Sequence, residues 1–207
     1  YKYPSLDVRP YFKRNYLYGE AMTHILGYVG RINDRDVERM KKEEKFANYS
    51  GSTDMGKLGI ERYYEEQLHG TTGFEEVEIN NRGKVIRKLR EQPATAGKSI
   101  HLTIDFTLQR YIMSLLSGQK GAVVVLDPKD NSVLAMVSTP SYDNNLFVDG
   151  ISASDYKRLL EDPTRPLYSR ATQGVYPPAS TVKPFVAVAA LTEGVITPHT
   201  TIFDPGY

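Results

Sequence analysis

A serine and a lysine three residues apart have the types and spacing best suited to covalent chemistry. They are Ser180 and Lys183, in the run Tyr176-Pro-Pro-Ala-Ser-Thr-Val-Lys-Pro184. An apolar helix is predicted to follow over residues 185–191, and side chains three apart on a helix share a face. A serine becomes nucleophilic when a nearby base takes its proton, and an apolar setting favours the neutral lysine amine that can do so. The helix N-terminus would also offer N–H groups to a developing oxyanion. The spacing thus predicts serine acyl transfer, with an ordinary helix cap at Ser180 and a solvated Lys183 as the alternative.

Two further matches to Ser-x-x-Lys occur, because the pattern is short and weak by itself. Ser117 and Lys120 lie in a glycine-flanked polar stretch, where the serine is predicted to be a turn residue. Ser154 and Lys157 open a polar helix predicted over residues 152–161, in which serines are expected to act as N-caps. At Ser180 alone is the lysine followed by an apolar stretch that is predicted to be a helix, so that match is the catalytic candidate.

Composition and charge exclude several classes of function. The chain has 207 residues, 40% hydrophobic and 25% charged, with a net charge of +1, so no nucleic-acid partner is expected. It has no cysteine, which excludes disulfides and thiolate chemistry. The four histidines are isolated in sequence, so neither a metal site, a cofactor site nor a histidine-based triad is predicted.

A near-match to a phosphate-binding loop is rejected. Residues 51–58 read Gly-Ser-Thr-Asp-Met-Gly-Lys-Leu, with Leu58 where the motif needs a hydroxyl for magnesium. No buried strand is predicted before it. A turn ahead of a helix is the preferred interpretation.

The chain is predicted to have two parts, and in the second a strand, a helix and a hairpin ahead of the helix that carries Ser180 indicate a mixed antiparallel α+β domain. Residues 91–98, with Pro93 and Gly97, are predicted to be the linker between the parts. The predicted strands are 74–79, 84–89, 100–104, 121–126 and 132–138, and the predicted helices are 35–45, 58–68, 106–116, 152–161 and 185–191, with a strand or helix at 24–29 and a loop at 48–56. Leu58, Tyr64 and Leu68 are expected to be buried on one helix, and Leu108, Ile112, Leu115 and Leu116 on another.

The run around Ser180 resembles the class B penicillin-binding proteins, and within them the cell-elongation D,D-transpeptidases of Gram-negative bacteria. The resemblance extends over nearly the whole chain. It is carried by Gln173–Pro184, by 24–29 (His-Ile-Leu-Gly-Tyr-Val), by 56–65 with 68–70, by 102–105 with Gln109, and by 134–143.

The resemblance implies a fold, a reaction and a location. Residues 1–98 would form a non-catalytic pedestal of the dimerisation-domain type, and residues 99–207 the first part of a β-lactamase-like transpeptidase domain, an antiparallel sheet with helices. Ser180 would attack a peptidoglycan stem peptide with Lys183 as its base, and β-lactams would acylate the same serine. The implied partners are elongation-complex membrane proteins, including a glycosyltransferase, at the periplasmic face of the inner membrane, with the anchor absent from this chain.

Two departures from the family pattern bear on these expectations. Ala179 stands where the family usually has glycine, and alanine disfavours a positive φ. The family's Ser-x-Asn and Lys-Thr-Gly motifs do not occur where they would complete the cleft, and the chain contains no Lys-Thr-Gly. The chain is therefore expected to be a fragment with an incomplete active site.

Three alternatives stay open at this point. A serine β-lactamase would share Ser180 and Lys183 without needing a pedestal of 98 residues. A β-lactam sensor would be acylated without cross-linking peptides. A scaffold would bind elongation proteins through residues 1–98 and perform no chemistry.

Overall fold

The structure is a computed structural model that describes residues 13–206. Contacts divide these residues into two compact units, 13–173 and 174–206. The first unit contains both sides of the predicted boundary at 98/99, which stays a prediction.

The described strands form two-stranded antiparallel sheets. Most follow the predicted positions, which confirms the antiparallel α+β class. The pairs are Val29–Arg31 (β1) with Asp54–Gly56 (β2), Phe74–Ile79 (β3) with Val85–Gln92 (β4), and Gly121–Leu126 (β5) with Val133–Thr139 (β6).

Short helices surround these sheets. The α-helices are Thr23–Leu26 (α1), Asp34–Lys42 (α2), Gly59–Tyr63 (α3), Glu65–His69 (α4), Phe106–Leu115 (α5), Ala153–Glu161 (α6), Arg170–Gln173 (α7) and Lys183–Thr192 (α8). The 3-10 helices are Gly19–Ala21, Phe46–Tyr49, Asn144–Phe147 and Ala179–Val182.

The charged helix α2 begins at a capping box. The Asn33 side chain accepts a hydrogen bond from the Asp36 N–H at 3.0 Å, and the Asp36 carboxylate accepts one from the Asn33 N–H at 3.1 Å. Two N–H groups that lack partners at a helix start are thereby satisfied. The helix packs through Met40 against Tyr49 and Met55, which form a small buried cluster.

A second cluster lies between α5 and β6. Asp105 caps α5, accepting hydrogen bonds from the N–H groups of Thr107 and Leu108. Ile112 packs against Ala135 and Val137, and Leu108 and Leu116 lie against the same cluster. The predicted stripe is thus confirmed except at Leu115, which is 60% exposed.

The predicted strand 100–104 is not found. Two hydrogen bonds connect this segment to the start of β6. The Asp105 N–H donates to the Leu134 carbonyl at 2.9 Å, and the Thr103 hydroxyl donates to the Val133 carbonyl at 2.7 Å. Farther along β6, the Gln109 side chain replaces a strand. Its amide donates to the Met136 carbonyl, and its oxygen accepts from the Met136 N–H, both at 2.9 Å.

The predicted helix 58–68 is interrupted at Tyr64, whose φ of −104° and ψ of 21° lie outside the helical region. Leu58 is 46% exposed, and Tyr64 and Leu68 are only half-buried, so the predicted buried face was wrong. Glu61 is buried instead, because Arg14 binds its carboxylate at 2.8 and 3.0 Å. The predicted loop 48–56 was also wrong in part, since it contains β2.

The segment around α1 joins both sequence regions of the first unit. The Thr23 hydroxyl donates to the Tyr142 carbonyl at 2.6 Å, and the Asn144 amide donates to the Gly27 carbonyl at 2.7 Å. Gln109 adds a third such bond, from its amide to the Ala21 carbonyl at 2.8 Å. Residues on the two sides of the predicted 98/99 boundary therefore share buried polar contacts.

Candidate active site

Ser180 lies in the 3-10 helix Ala179–Val182, directly after Pro177 and Pro178. The ring of Pro178 holds its φ near −71°, which fixes the approach of the chain. Thr181 binds back to this approach, since its N–H donates to the Pro178 carbonyl at 3.2 Å and its hydroxyl donates to the same oxygen. These hydrogen bonds close the turn that contains Ala179 and Ser180.

Backbone geometry places Ser180 and Lys183 on one face. The Lys183 N–H donates to the Ser180 carbonyl, an i to i+3 bond that ends the 3-10 helix where α8 begins. In a 3-10 helix, side chains three residues apart are eclipsed. This segment can therefore present a hydroxyl and an amine on the same side. The catalytic roles of the two residues stay a prediction.

The apolar helix after Lys183 is found, with Pro184 in its first turn, where the lost N–H has no helical partner to bind. Its apolar side chains are exposed in residues 174–206, with Phe185 at 77% and Val186 at 63%. Lys183 is also exposed. The apolar surroundings expected for the Lys183 amine are therefore not provided by residues 174–206.

The other two Ser-x-x-Lys matches lie where a structural role was predicted. In α6 the N-cap is Ser152, whose hydroxyl accepts from the Asp155 N–H at 3.0 Å, and Lys157 pairs with Glu161 at 3.8 Å on the surface. Lys120 donates to the Pro163 carbonyl at 3.2 Å. Neither match is followed by an apolar helix.

Sequence reasoning missed a cavity of about 1140 Å³ in the first unit. It lies beside α2, α4 and the sheet β1–β2, and it is lined by charged and aromatic residues that include Arg31, Tyr49, Asp54 and His69. Burial raises the pKa of the Glu65 carboxyl at its edge. Ser180 and Lys183 are not among its lining residues, so the cavity is not the predicted site of acyl transfer.

Histidines and carboxylates do not converge on a metal position. Within residues 13–206, no three His, Cys, Asp or Glu side chains are grouped so as to hold an ion. His69 stacks on Tyr49 with ring centres 4.2 Å apart and shares a hydrogen bond with the Ser52 hydroxyl at 2.7 Å. Residues 51–58 contain β2 and lead into helix α3 at Gly59, with Leu58 at the position where a phosphate-binding loop needs a hydroxyl.

Two family models match the chain. One, described as the penicillin-binding protein dimerisation domain, matches residues 1–102. The other, described as the penicillin binding protein transpeptidase domain, matches residues 121–207 and includes Ser180 and Lys183. The chain belongs to the penicillin-binding proteins.

Curated relatives agree with this assignment over the full chain. The peptidoglycan D,D-transpeptidase MrdA of Haemophilus influenzae is 82% identical over 207 residues, which are 100% of this chain and 32% of that protein. The protein of the same name from Escherichia coli K12 is 63% identical over 100% of this chain and 33% of its own length. The chain thus spans about a third of the length of the curated relatives it matches.

Solved structures of penicillin-binding proteins share the fold. The chain matches Pseudomonas aeruginosa PBP2 in complex with WCK 5153 with a TM-score of 0.76 and 46% identity, over 97% of this chain and 39% of that one. It matches a complex between PBP2 and MreC from Helicobacter pylori with a TM-score of 0.79 and 31% identity, over 92% of this chain and 34% of that one. The likeness to these structures confirms the predicted fold class, an α+β pedestal followed by the first part of a transpeptidase domain.

Proposed function

We propose that this penicillin-binding protein is a peptidoglycan D,D-transpeptidase of cell elongation, with Ser180 as nucleophile and Lys183 as general base. The observation that carries the proposal is the shared face of Ser180 and Lys183 within a region that matches the transpeptidase family model. The 82% identity to a protein named for this reaction supports it.

The reaction proceeds in two balanced steps. Lys183 takes the proton of the Ser180 hydroxyl as Oγ attacks the carbonyl of the D-Ala–D-Ala bond in a stem peptide. The peptide C–N bond breaks, the departing nitrogen receives the proton, and D-alanine leaves. An amine of a second stem peptide then attacks the acyl-enzyme ester, which forms the cross-link and returns a proton to Ser180.

Backbone N–H groups can stabilise the negative charge that develops on the carbonyl oxygen. Among residues 13–206, no group accepts a hydrogen bond from the Ser180 N–H, so this donor is available to an incoming substrate. A single N–H donor that is already positioned for the oxyanion raises the rate of the chemical step by about 10²-fold or more. A β-lactam carbonyl would meet the same serine and the same donor.

Partners and location follow from the same assignment. A relative of this chain was solved in complex with MreC, which supports elongation-complex proteins as partners. A glycosyltransferase as a further partner is part of the same proposal. The substrate places the protein at the periplasmic face of the inner membrane. Among residues 13–206, no helix is both long and apolar enough to cross a bilayer.

A scaffold role is the second candidate, because the complex with MreC involves a protein that aligns with 92% of this chain. Enzyme and scaffold predict different results for Ser180→Ala in the full-length protein. If the protein is an enzyme, the variant releases no D-alanine from pentapeptide-bearing glycan strands and forms no cross-links. If the protein acts only as a scaffold, neither the wild type nor the variant releases D-alanine.

The same assay separates the two β-lactam alternatives. A β-lactamase would hydrolyse benzylpenicillin with many turnovers and leave the glycan strands unchanged. A sensor would bind one equivalent of drug and also leave the strands unchanged. Cross-linking by the wild type, lost in Ser180→Ala, excludes both.

A further inference from the structure

Ala179, the residue directly before Ser180, has an unusual backbone. Its φ is +47°, in the left-handed region where a Cβ atom crowds the following carbonyl. Among residues 13–206, the other non-glycine residues with positive φ are Glu44, Asn131 and Arg165. Asparagine tolerates this region because its side chain can bond locally, whereas alanine has no such group. The conformation at Ala179 must therefore be imposed by its neighbours.

The neighbours of Ala179 supply that constraint from both sides. On one side the ring of Pro178 holds that residue's own φ at −71°, and on the other Thr181 binds the Pro178 carbonyl through its N–H and its hydroxyl. These two bonds close the chain around Ala179. Strained residues persist where the surrounding structure determines them in this way, and they concentrate at functional sites.

The torsion at Ala179 controls the orientation of Ser180. Rotation about the N–Cα bond of Ala179 turns all the atoms that follow relative to Pro178, including the Ser180 N–H and its Cα–Cβ bond. Among the described residues, neither the Ser180 hydroxyl nor its N–H donates a hydrogen bond. No hydrogen bond to a residue in 13–206 thus orients these two groups, which leaves the backbone torsion before them to set their direction.

We propose that Ala179 is a positioning residue, whose left-handed backbone aims the Ser180 hydroxyl and N–H at the substrate carbonyl. The proposal rests on the function proposed above. It predicts that the acylation rate follows the tolerance of residue 179 for positive φ and not the size or polarity of its side chain. Ala179 is exposed, which leaves room for larger side chains.

The test compares Ala179→Asn with Ala179→Thr in the full-length protein. Both side chains are small and polar, but asparagine tolerates positive φ and a β-branched residue does not. With benzylpenicillin as the probe, Ala179→Asn and Ala179→Gly are expected to keep the limiting acylation rate within about threefold of wild type. Ala179→Thr is expected to lose at least about tenfold in that rate, because a nucleophile misplaced by about 1 Å costs up to about 10²-fold. The half-saturating concentration is expected to change by less than about threefold, since the loss occurs in the chemical step.

An acylation rate of Ala179→Thr equal to that of Ala179→Asn overturns the proposal. If thermal unfolding shows that Ala179→Thr does not fold, Ala179→Ser takes its place, with a rate expected below that of Ala179→Asn; an equal or higher rate overturns the proposal. Ser180→Ala in the same assay separates the two claims. If it is still acylated, the proposed function fails. If it is inert while Ala179→Thr matches Ala179→Asn, only the positioning role fails.

Discussion

A backbone hydrogen bond joins Lys183 to Ser180, and it holds the two residues on the same face of the turn. Elsewhere in the chain the same spacing occurs in a capped surface helix, where Lys157 pairs with Glu161. The residue types are identical in the two places. The difference lies in the backbone around them, which at Ser180 is a proline-led 3-10 turn that enters an apolar helix.

Lys183→Ala tests the proposed base in the full-length protein. We expect the second-order rate of acylation by benzylpenicillin to fall by at least about 10²-fold, the scale of a lost general base. Lys157→Ala, in the second Ser-x-x-Lys match, is the matched control and should leave the rate unchanged. A near-wild-type rate for Lys183→Ala would mean that another group takes the serine proton.

At the scale of elements, helix α2 shows how directly local sequence can determine structure. Asn33 and Asp36 form a complete capping box, so the start of this helix was predictable from four residues. The end of the helix was not predictable from sequence. The helix ends at Lys42, and Glu44 has a positive φ, although neither glycine nor asparagine occurs there to indicate it.

Asn33→Ala should loosen helix α2. Loss of an N-cap costs about 1 kcal/mol, which corresponds to roughly fivefold faster amide exchange in the helix. Hydrogen exchange with mass spectrometry on the full-length protein measures this change. Asn33→Ser keeps a side-chain acceptor and should retain most of the protection; equal protection in wild type and Asn33→Ala would show that the cap does not limit opening.

Gln109 shows that a side chain can take a place beside a strand. Residues 100–104 have the alternation of a strand, but in the structure Thr103 and Asp105 bond to Val133 and Leu134, and farther along β6 the Gln109 side chain bonds both backbone groups of Met136. Periodicity describes which face of a strand is apolar and carries no information about a glutamine from a neighbouring helix. The burial of Glu61 was likewise not predictable from periodicity, since it depends on Arg14, which lies 47 residues away in sequence.

Gln109→Leu is expected to lower the free energy of unfolding by at least about 2 kcal/mol. The change leaves the Ala21 carbonyl and both backbone groups of Met136 without this partner in a buried place, where Gln109 is 1% exposed. Urea unfolding of the full-length protein measures it. Gln119→Leu, the same change at an exposed position, should shift the midpoint little. Equal shifts in the two variants would contradict a special role for the Gln109 hydrogen bonds.

At the scale of the whole molecule, polar contacts join the segment around α1 to residues 139–149 of the transpeptidase region. His24 lies in this junction, with its ring edge-on to Tyr142 at 5.7 Å between centres. Burial lowers the pKa of His24 from its usual 6.5, and the Arg170 cation acts in the same direction. His24 therefore binds a proton less readily in the folded protein than in the unfolded chain.

This difference makes stability depend on pH in a stated direction. Below pH 6.5 the unfolded chain binds a proton at His24 that the folded state does not, so stability falls as the pH drops from 6.5 toward the lower folded-state pKa. We expect the unfolding temperature of the full-length protein to fall between about pH 7.5 and about pH 5.5, and to fall less in His24→Gln. His101→Gln, at an exposed histidine, should behave as wild type. The same pH dependence in wild type and His24→Gln would remove His24 as its source.

The central claim is that Ser180 is the acylated nucleophile of a transpeptidase. The most direct measurement is the intact mass of the full-length protein before and after excess benzylpenicillin, with peptide mapping of any adduct. We predict one penicilloyl group on the wild type, located on the peptide that contains Ser180, and none on Ser180→Ala. An adduct on Ser180→Ala, or an adduct on the wild type that maps to another serine, would contradict the account.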